Sequence, residues 1–271
     1  MHIDSLQLYP IKSTAAVNVP NAVVEARGLA GDRRFMLVDD QGRFMTGRQH
    51  PDLVLVRAQI TATGLRIDAP GMESIRVVEP DSRADTVTVN IWHDETTARA
   101  VDPSVDRWFT DYLGHTCRLV FQHHNDVRPV APADGTNDDD RVSFADGYPL
   151  LLIGTASLDD LNGRLASPVA MGRFRTNLVA ATTAAFVEDT WRRIRVGEVT
   201  FDVVKRCARC VFTTVDPLSG QRDVQGEPLK TLRGYRLDKD ARGIMFGVNL
   251  VARSPGQLSR GMPIKVITKL D

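Results

Sequence analysis

The 271-residue chain is short of several things, and each shortage excludes a class of protein. It has three cysteines, Cys117, Cys207 and Cys210, too few for a disulfide framework. It has no charge surplus: 34 basic residues cancel 34 acidic ones, which argues against a broad nucleic-acid footprint. No apolar run approaches the roughly 20 residues of a membrane span. The opening Met1-His2-Ile3-Asp4 lacks the basic-then-apolar pattern of a signal peptide. The expectation is a soluble, cytoplasmic protein in a reducing compartment. The six histidines show no ligand spacing. Gly-x-Gly-x-x-Gly and Gly-x-Ser-x-Gly are both absent, so neither a Rossmann cofactor nor a serine-hydrolase elbow is supported.

What is present is globular: 42% hydrophobic and 25% charged residues. Short alternating runs near Ile3–Tyr9, Ala22–Ala26, Arg34–Val38, Leu53–Ile60, Ser74–Val78 and Thr86–Trp92 read as strands. Gly28, Gly31, Gly42, Gly64 and Gly71 separate them. Asp102-Pro103 opens a helix through about Leu113, with Asp as N-cap and Pro at the first helical position. Between about 123 and 141 the chain turns polar, and the domain boundary is expected there. The run Asp138-Asp139-Asp140 reads as a solvated segment. Helices are expected near Ser157–Leu165 and Pro228–Tyr235, and strands near Phe174–Ala180, Ile194–Val196, Val199–Lys205, Met245–Val251 and Ile264–Ile267. The irregular mixture predicts a β-rich α+β fold.

The chemistry concentrates at Lys205-Arg206-Cys207-Ala208-Arg209-Cys210-Val211-Phe212-Thr213-Thr214-Val215-Asp216-Pro217. Cationic neighbours favour a thiolate, which is both a nucleophile and a soft metal ligand. Cys207-x-x-Cys210 is half of a zinc site, but a structural zinc needs four ligands. A redox pair needs a helix N-terminus, and the flanks here are strand formers. In a regular strand the two thiols face opposite ways, and Cys207 is the one expected to pack inside. Asp216-Pro217-Leu218-Ser219-Gly220 has turn chemistry, with Asp216 either bonding backbone amides or orienting toward a ligand. Lys12-Ser13 after the first strand suits a phosphate, weakly on its own. Arg33 and Arg34 point to opposite faces, so one at most reaches inward. Period two puts Arg173, Arg175 and Asn177 on one face of a strand, as a solvated stripe or an anion clamp.

Taken together these segments resemble the MOSC proteins (molybdenum cofactor sulfurase C-terminal domain). The subgroup is the one with an N-terminal β-barrel module, which includes the amidoxime-reducing component and its bacterial relatives. The resemblance rests on Tyr9-Pro10-Ile11-Lys12-Ser13, Gly28-Leu29-Ala30-Gly31-Asp32-Arg33, Thr46-Gly47-Arg48-Gln49, Phe174-Arg175-Thr176-Asn177, the cysteine segment and Gly261-Met262-Pro263. The cysteine motif is the specific one; the others convince in its company. The resemblance implies a β-barrel-like module over 1–122 and a MOSC β-barrel domain with short helices over 123–271. It implies a molybdenum–molybdopterin cofactor between them, with Cys210 as metal ligand. Lys12, Ser13, Arg33, Arg175, Asn177 and Arg209 match positions that hold the pterin and its phosphate, and Thr213 is placed with them. Asp216 is expected to act on substrate. Thr176 stands where relatives often have proline, and Ala208 where some have serine.

The implied activity is reduction of small N-hydroxylated compounds, amidoximes and hydroxylamines. The alternatives are a sulfur carrier with a Cys210 persulfide and a carrier of the cofactor without turnover. Three cysteines cannot hold a four-cysteine iron–sulfur cluster, so a separate electron-donor protein of reductase, ferredoxin or cytochrome type is expected. A pyridoxal phosphate site lacks a specific lysine and pyridinium partner. Neither nucleic acid nor membrane is expected as a partner.

Overall fold

The computed structural model describes residues 1–240 and 243–270. Its centre is a nine-stranded sheet. The hairpin Trp191–Val196 and Val199–Arg209 turns at Gly197, whose φ of 57° suits glycine. Val199–Arg209 pairs antiparallel with Gly243–Ala252, and that strand pairs with Leu150–Gly154. Leu150–Gly154 runs parallel to Leu178–Ala181, through a crossover containing the helix Thr155–Asn162. The first strand, His2–Leu8, then pairs with Leu178–Ala181, so this sheet draws on both ends of the chain. A small sheet of Asn21–Glu25, Gly28–Leu29 and Gly256–Ser259 is mixed in the same way. A four-stranded and a three-stranded sheet lie wholly within the first half. The result is the β-rich α+β architecture expected.

Alternation builds the cores. Ile3, Leu6 and Leu8 of the first strand bury against Leu152, Leu178, Trp191, Phe201 and Val248. A second core gathers Phe35, Leu37, Leu53, Ile67, Phe109 and Phe121. Each such side chain contributes about 1.5–3 kcal/mol on burial. The helix Pro103–Leu113 starts as expected: the Asp102 carboxylate accepts from the Ser104 amide at 2.8 Å.

Three expected elements differ. The run from Phe174 is not a strand: Met171–Phe174 is a 3₁₀ turn, Arg175 takes φ 55°, and pairing begins only at Leu178. Leu53 and Val54 belong to the 3₁₀ turn Pro51–Leu55, and the strand starts at Arg57. The strand leading to the cysteines ends at Arg209, and Cys210 opens the 3₁₀ turn Val211–Thr214.

The polar segment 123–141 is tied down at several points. Arg128, 2% exposed, donates to the carbonyls of Ser143 and Asp146 at 3.1 and 2.7 Å and pairs with Asp94 at 2.8 Å. Of the acidic run, Asp138 and Asp139 are exposed, while Asp140 is buried and pairs with Arg253 at 2.6 Å. Among the described residues no helix is long and apolar enough to cross a membrane.

Candidate active site

Segments 12–13, 46–48, 145–151, 173–177 and 205–213 meet, together with Arg33 and Asn249, around a cavity of about 290 Å³. Among the described residues its wall carries Lys12, Arg33, Arg48, Arg173, Arg175, Lys205, Arg206 and Arg209 and one carboxylate, Asp146, while Asp32, Asp216 and Asp238 pair with Arg33, Arg173 and Arg206 outside the lining. A chain with no net charge has therefore gathered eight cations around one hollow. Such a site favours an anion.

Backbone geometry places these groups. Lys12 follows the first strand, and its amide donates to Phe35 O at 2.8 Å. Its ammonium, buried, donates to Phe144 O at 2.7 Å and to Asp146 Oδ1 at 2.6 Å. Burial lowers the Lys12 pKa to about 8, although Asp146 opposes the shift. Desolvation at the cavity rim would by itself raise the Asp146 carboxyl, but the Lys12 and Arg48 charges outweigh it and hold it well below the usual range. Ser13 and Arg33 have positive φ, 73° and 50°, which turns the chain sharply inward at both.

Arg33 and Arg175 flank one ring. Their guanidinium carbons lie 4.6 and 4.1 Å from the centroid of Tyr9. Arg33 is held by Asp32, by Asn177 Oδ1 at 3.1 Å and by the Arg175 carbonyl at 3.1 Å. Asn177 also accepts from the Leu151 amide and donates to Gln7 O, so its amide is committed to orienting Arg33. Arg34 turns the other way and donates to Gln122 O, which assigns the inward position to Arg33. Burial pushes the Tyr9 phenol up to about 12, and burial lowers Arg175 to about 10.

Arg175 donates from one guanidinium nitrogen to Thr14 O at 2.7 Å, while its Nη2 is buried without a partner. Arg209 reaches Phe174 O at 2.7 Å and the sulfur of Cys207 at 3.0 Å, and its Nε is buried without a partner. Among the described residues neither arginine has a carboxylate partner. A buried unpaired donor is costly, and two lining arginines without a carboxylate partner leave positive charge at the cavity that favours an anionic ligand.

Cys210 is exposed at the cavity wall. Arg48 Nε approaches its sulfur at 3.3 Å, and Arg48 Nη2 pairs with Asp146 at 2.9 Å. The Thr213 amide and hydroxyl both donate to the Cys210 carbonyl, at 3.1 and 3.0 Å, which fixes the backbone beneath the thiol. Register shifts at Val203/Lys205 and Arg206/Ala208 interrupt the alternation of this strand. In consequence Cys207 lines the same cavity as Cys210 while also packing against the Phe174–Phe246 cluster. Opposite faces, expected of a regular strand, are therefore not what the chain adopts. Cys117 is the inert thiol: buried, with its pKa pushed up to about 11.

Asp216 stands apart from the lining. Its Oδ1 accepts from the amides of Leu218 and Ser219, and its Oδ2 pairs with Arg173 at 3.1 Å. The turn reading of Asp216 is the one the geometry has, and its reach toward the cavity is through Arg173, which lines it. Two charged lining residues had no role assigned from sequence, Arg48 and Asp146. Arg48 lay inside the Thr46–Gln49 motif, which was a usable signal; Asp146 sits in a loop without one. Among the described residues no three of His, Cys, Asp and Glu converge on a metal position.

The MOSC N-terminal beta barrel domain matches residues 1–116, and the MOSC domain matches residues 139–265. "Mitochondrial amidoxime-reducing component 1" of Danio rerio is 33% identical over 276 residues, covering 98% of this chain and 85% of that protein. "Mitochondrial amidoxime reducing component 2" of Rattus norvegicus is 34% identical, covering 97% and 82%. Component 1 of Homo sapiens is 32% identical, covering 98% and 82%.

Proposed function

The chain belongs to the MOSC family, in the group that joins a MOSC N-terminal β-barrel domain to a MOSC domain, and from that premise we propose that it is a molybdenum-cofactor oxidoreductase reducing N-hydroxylated compounds such as amidoximes and hydroxylamines. One observation carries the reading: an exposed thiol, Cys210, shares a cavity with eight cations, two of which, Arg175 and Arg209, keep buried donors unpaired. That donor set suits a soft metal at one end and a phosphate at the other.

When bound, the cofactor supplies two-electron, oxygen-atom chemistry at molybdenum. The chain's part is binding and orientation. Cys210 offers a thiolate ligand. Lys12, Arg33, Arg175 and Arg209 offer charge to the phosphate and pterin, Asn177 orients Arg33, Ser13 gives the turn beside Lys12, and Thr213 fixes the Cys210 backbone. Asp216 holds Arg173. The net reaction breaks the N–O bond, takes up two electrons and two protons, and releases water. The electrons come from a separate donor protein.

Molybdenum and pterin analysis of protein made in a molybdopterin-competent host tests this, with benzamidoxime reduction by an artificial electron donor alongside. Near-stoichiometric molybdenum that vanishes in Cys210→Ala, together with turnover, is the expected result. A metal-free wild type with labile sulfur on Cys210 would instead make the chain a sulfur carrier. Bound molybdenum without turnover would make it a cofactor carrier.

A further inference from the structure

A second, wider groove of about 780 Å³ adjoins the cationic cavity, and the two share Thr46 and Arg48. Its fixed charges balance, Asp39 and Asp40 against Arg43 and Arg48, so it does not select an anion. One wall is aromatic. The rings of Phe44 and Trp92 meet edge to face with centroids 5.1 Å apart.

Trp92 is an anomaly on two counts. It sits in the tight turn between the strands Thr86–Ile91 and Asp94–Ala100 with φ 58°, a conformation that suits glycine or asparagine and is unfavourable for a bulky side chain. It is also 51% exposed, so burial does not explain a tryptophan there. An observed backbone outlier of this kind is a pointer to function. Arg48 stacks on the indole at 4.5 Å, and the same side chain reaches the Cys210 sulfur at 3.3 Å. The aromatic wall is one side chain away from the thiol.

We infer that Trp92, backed by Phe44, is the specificity platform of this site. It stacks the planar aromatic body of an N-hydroxylated substrate while the N–O group lies toward Cys210. The inference rests on the reductase reading above and narrows its substrates to aryl compounds. Stacking is tolerant of ring substitution and selects flat apolar surface over bulk.

The test compares kcat/KM for benzamidoxime with that for hydroxylamine, using an artificial electron donor. Trp92→Ala is expected to lower the ratio about fivefold, and Trp92→Tyr to retain most of it. Trp92→Gly suits the turn backbone and is expected to repeat the loss, which separates it from misfolding. An unchanged ratio, or an equal fall with both substrates, overturns the inference: the indole would then only support Arg48. So does a Trp92→Ala rate that falls solely with a protein electron donor, which would make the wall a docking face. If the wild type reduces neither compound, the reductase reading fails, and fluorescence decides the groove separately. Benzamidoxime should then quench the exposed Trp92, and the quench should disappear in Trp92→Tyr, since Trp108 and Trp191 are buried. Equal quenching in both proteins sinks the groove as well.

Discussion

Arg48 Nε lies 3.3 Å from the sulfur of Cys210, although 162 positions separate the two in sequence. The same guanidinium pairs with Asp146 and stacks on Trp92, so a single side chain joins the thiol, the rim carboxylate and the second groove. Burial opposes its charge, but Asp146 and Cys210 outweigh burial and raise the Arg48 pKa. A charge-assisted contact of this kind contributes about 1.5–3 kcal/mol. Arg48→Ala is expected to cut kcat/KM by roughly tenfold or more, with the molybdenum content largely kept because the residues proposed to hold the phosphate are others. Arg48→Lys should recover only part, since an ammonium cannot span sulfur and carboxylate together. Steady-state kinetics beside metal analysis checks both.

Lys12 gives the cavity a pH dependence. Its pKa lies near 8, lowered by burial, so the ammonium is present below that value and is lost as pH rises through it. Phosphate affinity of the cofactor-free protein should therefore fall, by up to roughly tenfold, between about pH 7 and about pH 9. Lys12→Arg should flatten the profile. Asp146→Asn removes the charge that holds the Lys12 proton on and should move the fall to lower pH. Calorimetric titration with inorganic phosphate across this range measures all three.

Glu188 sets a stability profile of the opposite kind from a carboxylate whose pKa an ion pair lowers. It is fully buried, accepts from the Gly154 amide and the Ser157 hydroxyl, and has its pKa raised by desolvation. A carboxyl with a raised folded pKa binds its proton more tightly in the folded state, so its contribution is intact below its ordinary pKa and is lost as pH rises through the raised one. Glu188→Gln should gain in Tm relative to wild type, and the gain should be larger at about pH 8 than at about pH 5. Thermal scans at the two pH values decide this.

Gly47 is a packing constraint on the cavity wall. A Cβ there would lie 2.3 Å from the ring of Phe212, which lines the cavity and faces Arg175 at 5.3 Å. Gly47→Ala is expected to cost about 1–3 kcal/mol in denaturant unfolding. It should also weaken phosphate binding by displacing the ring.

Sequence patterns carried further where a residue acts through local chemistry. Asp102-Pro103 capped its helix because cap and proline preferences are local. Arg33 and Arg34 divide inward and outward as expected, although Arg33 sits in a turn with φ 50° and the strand begins only at Phe35. Leu150–Gly154 gave no alternation because it is buried throughout, and Asp94–Ala100 is a mostly polar strand held by its pairing partners. Arg173, Arg175 and Asn177 do gather at the cavity, but through a 3₁₀ turn and a left-handed residue instead of a strand face. Asp146 was silent in sequence because its meaning lies in Lys12 and Arg48, which only the fold brings to it.

The opening strand, His2–Leu8, finds its partner in Leu178–Ala181 and not in the residues made soon after it. During synthesis it must wait until more than half of the chain has emerged. A fragment beginning after the polar segment would expose a raw sheet edge where that strand belongs, and edges of that kind recruit other chains. Cutting the protein between its halves should therefore yield aggregation-prone pieces, and mixing the two pieces should restore solubility as the missing strand is returned.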